Sequence, residues 1–396
     1  MKKCFFSLLC LLSSVMSVSG QVIDTGAIRS GRSVPYVVRP DSAGGVSYSP
    51  SLRSRAKGGD VQAQYDLAVC YDGAYGVRKN RRQAFRWFKK AAEQGMVKAQ
   101  NTLGLCYFFG YGCLGNCRHA AGWFRKAAAH NNPAALYNLG VCYTYGLGVP
   151  ENDSTAVTFF RQVADSGYAE GQYQMGVSYE NGFGVVADPR AAAVWYRKAA
   201  EQGYMPAQYN LAACYERGIG VVADMNESLR WYERAALRGS VDAMYNLGVI
   251  YGQGEGVERD TIKSLAYYTM AAKKGDVASM YHLATSYLTG EGVEAADTAQ
   301  AVYWMGTAAL RKHVDALHDM GYFFYLGVGV EVDYEAAFRC FLKACDMGDI
   351  DSAYMLGLFY EKGFFVWRDP DMAYTYYELA ASYGHEGAGL KLKQMQ

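Results

Sequence analysis

Net charge is the first thing this sequence lacks. Its 39 basic residues face 38 acidic ones, and without Lys2 and Lys3 near the N-terminus the balance is 37 to 38. Duplex recognition draws on a basic stripe that releases phosphate counterions, so nucleic acid is excluded as a partner. A polybasic membrane patch is excluded on the same count. Proline is scarce, at 8 of 396 residues, while tyrosine reaches 34 and hydrophobic residues 51%, far too apolar for a disordered chain. Beyond the N-terminal segment no apolar run approaches transmembrane length. H-E-x-x-H, G-x-S-x-G and Walker loops are missing, the six histidines are scattered, and neither a cofactor nor a metal is implied.

Residues 1–20 read as a signal peptide: Lys2-Lys3 as a basic n-region, Cys4 to Val18 as an apolar h-region too short to span a bilayer, and Val18-Ser19-Gly20 as a small-residue cleavage site. The expectation is an exported, soluble protein, periplasmic or secreted, with a leader of bacterial character. Residues 21–57 are rich in Ser, Gly, Arg and Pro without sustained periodicity, and are expected to form a flexible linker.

From residue 58 self-similarity governs the sequence. An apolar column reads Leu67, Leu103, Leu139, Met175, Leu211, Leu247, Leu283, Met320 and Leu356, spaced by 36 residues except for 37 between Leu283 and Met320. Four residues after each stands an aromatic, from Tyr71 through Phe324 to Tyr360, on the same helix face. The residue behind the Leu is mostly small, as in Gly104, Gly140, Gly176 and Gly248, which lets a second helix approach. A G-x-G-V loop follows, as in Gly146 to Val149; its first Gly suits the left-handed residue ending a helix, and its Val the gap between helices. Asn80, Asn116, Asn152, Asp188, Asp224, Asp260, Asp333 and Asp369 then stand where N-caps belong. The second helix carries an aromatic pair, as in Trp87-Phe88, Trp195-Tyr196 and Tyr376-Tyr377, then a small pair and a closing Gly. One such hairpin cannot bury its own stripe, so nine of them over residues 58–387 are expected to stack into one solenoid, with residues 388–396 as a capping helix.

These columns resemble the Sel1-like repeat, a relative of the tetratricopeptide repeat, through A-x-x-x-L-G-x-x-Y, G-x-G-V-x-x-D and A-x-x-W-Y-x-x-A-A-x-x-G, cleanest in Ala207 to Gly239 and Ala243 to Gly275. The resemblance implies an all-α, right-handed α/α superhelical solenoid whose first helices line a concave groove. It further implies a non-catalytic scaffold or adaptor that binds a protein or peptide. Departures are Cys113 for the loop Val in repeat two, His318 and Cys340 in aromatic columns of repeat eight, and Phe364-Phe365 where Gly is expected in repeat nine.

In the tetratricopeptide register the residue two before the column Leu faces the groove. The resemblance therefore implies a partner-binding ladder of Tyr137, Asn138, Tyr173, Tyr209, Asn210, Tyr245, Asn246 and Tyr281. Tyrosine offers large contact area at small entropy cost, and Asn a donor and an acceptor for a ligand's main chain. The competing reading is that both columns pack against the next repeat. Phe364, Phe365 and Trp367 are either a second partner patch or a cover for the last core layer.

Cys70, Cys106, Cys142 and Cys214 recur three residues after the column Leu and read as buried packing residues. Cys113 and Cys117 flank a loop as C-x-x-x-C, with His119 beyond. A local disulfide suited to an oxidising compartment, two packing thiols, and a metal site short of a fourth ligand compete there. The expected function is an exported scaffold whose groove holds a polypeptide in the cell envelope. The alternative is an envelope-associated enzyme with thiol or groove-based chemistry.

Overall fold

In a computed structural model every regular element among the described residues, 46–395, is a helix. The expected leader and the linker as far as residue 45 lie outside the described residues. Packing divides the chain into two units, one through Asp224 and one from Met225. The first carries α1 (Pro50–Lys57), α2 (Val61–Gly73), α3 (Arg81–Glu93), α4 (Val97–Phe109), α5 (Cys117–Ala128), α6 (Pro133–Tyr145), α7 (Asp153–Asp165), α8 (Ala169–Asn181), α9 (Pro189–Glu201) and α10 (Met205–Arg217). The second carries α11 (Met225–Leu237), α12 (Val241–Gln253), α13 (Thr261–Lys273), α14 (Val277–Thr289), α15 (Thr298–Leu310), α16 (Val314–Leu326), α17 (Tyr334–Asp346), α18 (Ile350–Lys362), α19 (Pro370–Ser382) and α20 (Glu386–Met395). From α2 to α18 the even-numbered helices open the repeats, and the division falls in the loop inside repeat five.

Each hairpin is closed by its cap residue. The Asn152 N–H donates to the Tyr143 carbonyl at 2.9 Å, while the Asn152 side chain accepts from the Thr155 N–H at 2.8 Å. In the second unit Asp260 does the same with Tyr251 and Lys263. Side-chain caps form as expected at Asn80, Asn116, Asp188, Asp333 and Asp369. Asp297 also caps α15, in the one loop that is a residue longer, a position the regular spacing hides. The first loop glycine behaves as expected, with Gly146 at φ 64° ending α6. The second answers to a different need: a Cβ on Gly184 would fall on the Asp153 carbonyl at the start of α7.

In repeats two, three, four, six, eight and nine the second ring of the aromatic pair lies on the glycine behind the column Leu. A Cβ on Gly104 would come within 2.5 Å of the Phe124 ring, and one on Gly248 within 2.6 Å of Tyr268. Leu67, Leu103, Leu139, Met175 and Leu211 are buried in the first unit, and Leu247, Leu283 and Leu356 in the second. Full burial of such a side chain stabilises by about 1.5–3 kcal/mol.

The linker reading does not hold for residues 46–57. Ser49 caps α1 and Pro50 opens it, and Leu52 and Ala56 are buried against Ala63, Leu67 and Cys70. Gln64 Nε2 donates to the Ala56 carbonyl, the bond that Gln100 makes to Ala92 and Gln208 to Ala200. Leu52, Ala56 and Gly59 stand 36 residues before Phe88, Ala92 and Gly95, so α1 matches the second helix of a repeat. Its apolar stripe covers the open face of α2, which an end repeat requires. At the other end Ala388 of α20 is buried against Ala353 and Tyr377.

Candidate functional site

In the first unit the ladder begins with an internal lock. Tyr137 and Asn138 are 1% and 3% exposed. Asn138 Nδ2 donates to Asn101 Oδ1 at 3.1 Å, and Gln174 Nε2 donates to the Tyr137 hydroxyl at 2.9 Å. The rule is common to both: the residue before the column Leu reaches back to the residue two before that Leu in the preceding repeat. Buried polar groups demand partners, and the neighbouring repeat supplies them. The expectation that Tyr137 and Asn138 meet a ligand is therefore corrected; both are interior.

Tyr173, Tyr209 and Asn210 are half-buried and line a cavity of about 300 Å³ between α8 and α10, with Glu180 and Arg217. Burial pushes the Tyr173 hydroxyl well above its ordinary range, the Glu180 charge adds to this, and the Asn210 hydrogen bond opposes it. Tyr196, whose hydroxyl donates to Glu180 Oε2 at 2.5 Å, is raised for the same first two reasons. Both phenols are thus neutral at physiological pH. The cavity presents a carboxylate, a guanidinium, hydroxyls and an amide beside Val177, Ala213 and Ile219. That set suits main-chain amides and charged side chains. Glu180 and Arg217 were not singled out in the sequence, because each lies outside the tyrosine columns and the polar column beside them.

Tyr245, Asn246 and Tyr281 belong to the second unit. Tyr245 is half-buried against Tyr268 and His282, at 6.0 and 5.9 Å between ring centres. Asn246 Nδ2 donates to the Tyr232 hydroxyl at 3.1 Å. Tyr281 stacks on His313 at 4.8 Å and donates to Asp319 Oδ2 at 3.1 Å; burial, then Asp319, pushes its pKa up to about 12. His318 Nδ1 lies 2.9 Å from Asp349 Oδ2 and 3.0 Å from Ser352 Oγ. Burial alone would lower the His318 pKa, but the Asp349 hydrogen bond and the charges of Asp349, Asp319 and Asp351 raise it. Although Asp, His and Ser meet here, both oxygens converge on one ring nitrogen. The relay of a catalytic triad needs them on opposite nitrogens, so the cluster is a polar joint between α16 and α18.

Of the three readings that compete at Cys113 and Cys117, the structure has thiols at both. Cys113 turns toward its own repeat and its S–H donates to the Cys106 carbonyl at 3.4 Å, whereas Cys117 is buried at the start of α5. Cys70, Cys106, Cys142 and Cys214 are buried as expected. Burial pushes Cys142 and Cys214 up to about 12. In repeat nine Phe364 stacks on Tyr334 at 5.0 Å and so covers core, while Trp367 is 94% exposed. Among the described residues no group of three His, Cys, Asp or Glu could hold a metal ion, and no helix is long and apolar enough to cross a membrane.

Helical hairpins that each pack on their sequence neighbours, joined by polar bonds at the repeat spacing, define an α-helical repeat protein of the solenoid class. The Sel1 repeat profile matches nine times, at residues 61–96, 97–132, 133–168, 169–204, 206–240, 241–276, 277–313, 314–349 and 350–385. The chain belongs to the Sel1 repeat family. A Sel1 repeat protein from Oxalobacter formigenes is 27% identical, over 89% of this chain and 99% of that one, with a TM-score of 0.65. The protective antigen c5321 of uropathogenic Escherichia coli strains, which displays an SLR fold, is 31% identical over 87% of this chain and 81% of that one, with a TM-score of 0.47. No curated protein matches. Sel1 repeat proteins are in general protein-interaction scaffolds.

Proposed function

We propose that this protein is an exported, non-catalytic scaffold that holds a polypeptide partner at the cavity between α8 and α10. One observation carries this reading: Tyr173, Tyr209 and Asn210 converge there with Glu180 and Arg217, on the first helices of an interaction-repeat fold. Tyrosines give contact area at low entropy cost, and the amide and the two charges can fix a peptide's main chain and direction. Export is supported by Lys2-Lys3, the apolar stretch to Val18 and the Val18-Ser19-Gly20 site, leading to a cell envelope or the medium. Thiol catalysis gains no support, because burial raises the Cys113 thiol whereas a nucleophilic Cys needs an accessible thiolate.

The test is a photocrosslinker at position 209. It should capture one polypeptide, whose affinity falls about tenfold or more in Tyr173→Ala and Arg217→Glu, while Tyr137→Phe leaves it unchanged. Undiminished affinity in both cavity variants would remove the cavity from the reading. Recovery of the protein from the cytoplasm with its leader intact would remove export.

A further inference from the structure

The first ring of the second-helix pair reads Trp87, Trp123, Phe159, Trp195, Trp231, Tyr267, Trp304, Cys340 and Tyr376. Only the α17 member lacks a ring. Where the ring is present, two contacts recur. In repeats three, six and nine it stacks on the first-helix aromatic: Tyr143–Phe159 at 5.8 Å and 19°, Tyr251–Tyr267 at 5.9 Å and 5°, Tyr360–Tyr376 at 5.7 Å and 11°. In repeats one, two, four and five a cation three residues on lies over it: Lys90 over Trp87 at 4.5 Å, Lys126 over Trp123 at 4.1 Å, Lys198 over Trp195 at 4.1 Å, Arg234 over Trp231 at 4.5 Å.

Repeat eight keeps both partners without the ring between them. Phe324 stands at the stacking position, Lys343 stands three residues after Cys340, and all three line a cavity of about 680 Å³. Ala309, Leu317 and Met320 complete its apolar wall. Their equivalents one repeat earlier, Ala272, Met280 and Leu283, belong to the cluster on which Trp304 packs. The cavity therefore stands where the ring that Cys340 replaces would pack, with room beyond it, and its size falls in the ligand-site range of roughly 300–1,000 Å³.

We propose that the cavity at Cys340 is a slot for an aromatic side chain presented by a partner polypeptide. The face of Phe324 offers stacking and Lys343 offers a cation to the ring's negative face, complementarity that an aliphatic group does not meet. Leu310, 88% exposed, and Met347, 44% exposed, extend the apolar rim beyond one ring, over surface that the residues flanking a side chain would cover. The ring slot stands independently of the α8–α10 cavity; only its polypeptide carrier rests on the scaffold reading.

The test uses the full chain and N-acetyl-5-fluorotryptophanamide followed by fluorine NMR, with Cys340→Trp, Cys340→Ala and Lys343→Met. Wild type and Cys340→Ala should bind the probe, Lys343→Met should bind it more weakly, and Cys340→Trp should melt higher and not bind at all. N-acetylleucinamide should compete about tenfold less well than N-acetyltryptophanamide. A pentapeptide with tryptophan between glycines should bind more tightly than the amide. Equal competition by the leucine amide, binding retained in Cys340→Trp, or a lower melting temperature in that variant would overturn the slot. A pentapeptide no tighter than the amide would overturn the polypeptide carrier. Failure of crosslinking at position 209 with probe binding intact would sink the scaffold site and spare the slot.

Discussion

The two units use one repeat but join its copies with different chemistry. In the first, the donors between repeats are amides and guanidinium groups: Asn138 to Asn101, Gln174 to Tyr137, Arg161 to the Tyr179 hydroxyl. None of these groups changes charge near neutral pH. In the second, Tyr281 meets Asp319, His318 meets Asp349, and His385 Nε2 lies 3.5 Å from Asp351. The second-helix caps differ in part, with Asn80, Asn116 and Asn152 beside a single Asp188 in the first unit and Asp260, Asp297, Asp333 and Asp369 in the second. The apolar columns specify the hairpin and leave the polar edges between repeats open to variation. The second unit adds histidine–carboxylate joints, as at His318 and Asp349, to amide bonds such as that from Asn246 to Tyr232.

The shared core should be blind to this distinction, and the largest effects test that. Gly140→Val and Gly321→Val each place a side chain on a ring, since a Cβ alone would reach 2.6 Å from Phe160 or Phe341. Overpacking of this kind costs about 3 kcal/mol. Hydrogen exchange in the affected unit should show that loss in both variants. A unit that accepts its valine without loss breaks the premise of a common core.

Next in size is Asp349→Asn, confined to the second unit. The Asp349 side chain is 18% exposed; against burial, the bonds from His318 and Ser352 bring its pKa from 3.8 to about 2. That shift corresponds to about 2 kcal/mol. A lowered carboxylate pKa stabilises fully above 3.8, and this is lost as pH falls through about 2. A raised histidine pKa stabilises fully below 6.5, and this is lost as pH rises through the folded value. A pH–stability profile should therefore sag on both sides in wild type and flatten in Asp349→Asn. Two unchanged limbs in the variant would mean that the pair contributes nothing.

Much of this architecture was legible because a solenoid writes its core as columns. Leu67 to Leu356, the caps at Asn80 and Asp369, and the glycines under Phe124 and Tyr268 are all local requirements repeated at fixed spacing. The helix at Pro50–Lys57 escaped because a single helix shows only three column positions, Leu52, Ala56 and Gly59, amid a Ser- and Arg-rich segment. The ladder was harder for another reason. Spacing says that Tyr137 and Tyr173 are equivalent, but not that Tyr137 has Gln174 to close over it while Tyr173 borders a cavity. Exposure of a column residue depends on its neighbour's side chain one repeat away, which a column cannot display. Cys113 and Cys117 show the same limit: close in sequence, one bonds the Cys106 carbonyl of its own repeat while the other is buried at the start of α5.

The two smallest effects sharpen the comparison on the first unit's side and at the caps. Gln174→Leu removes the donor to the Tyr137 hydroxyl and should cost about 1 kcal/mol, by the same amount at mildly acid and mildly alkaline pH. A loss that varied with pH would show that the first unit also depends on protons. The cap exchange is smaller still. Asp260 accepts the Lys263 N–H at 2.9 Å, and that bond first, then Lys263 itself, holds its carboxyl below the ordinary value. Its contribution is present above pH 3.8 and lost as pH falls through the folded value. Asparagine caps equally well near neutrality but cannot titrate. Asp260→Asn should thus leave neutral exchange rates in the first turn of α13 almost unchanged and slow their acid-side rise. The reciprocal Asn152→Asp should give the first turn of α7 an acid sensitivity that it lacks. If both swaps leave the acid-side exchange as it was, the difference between the units resides in their histidine and carboxylate joints alone, and the caps are interchangeable.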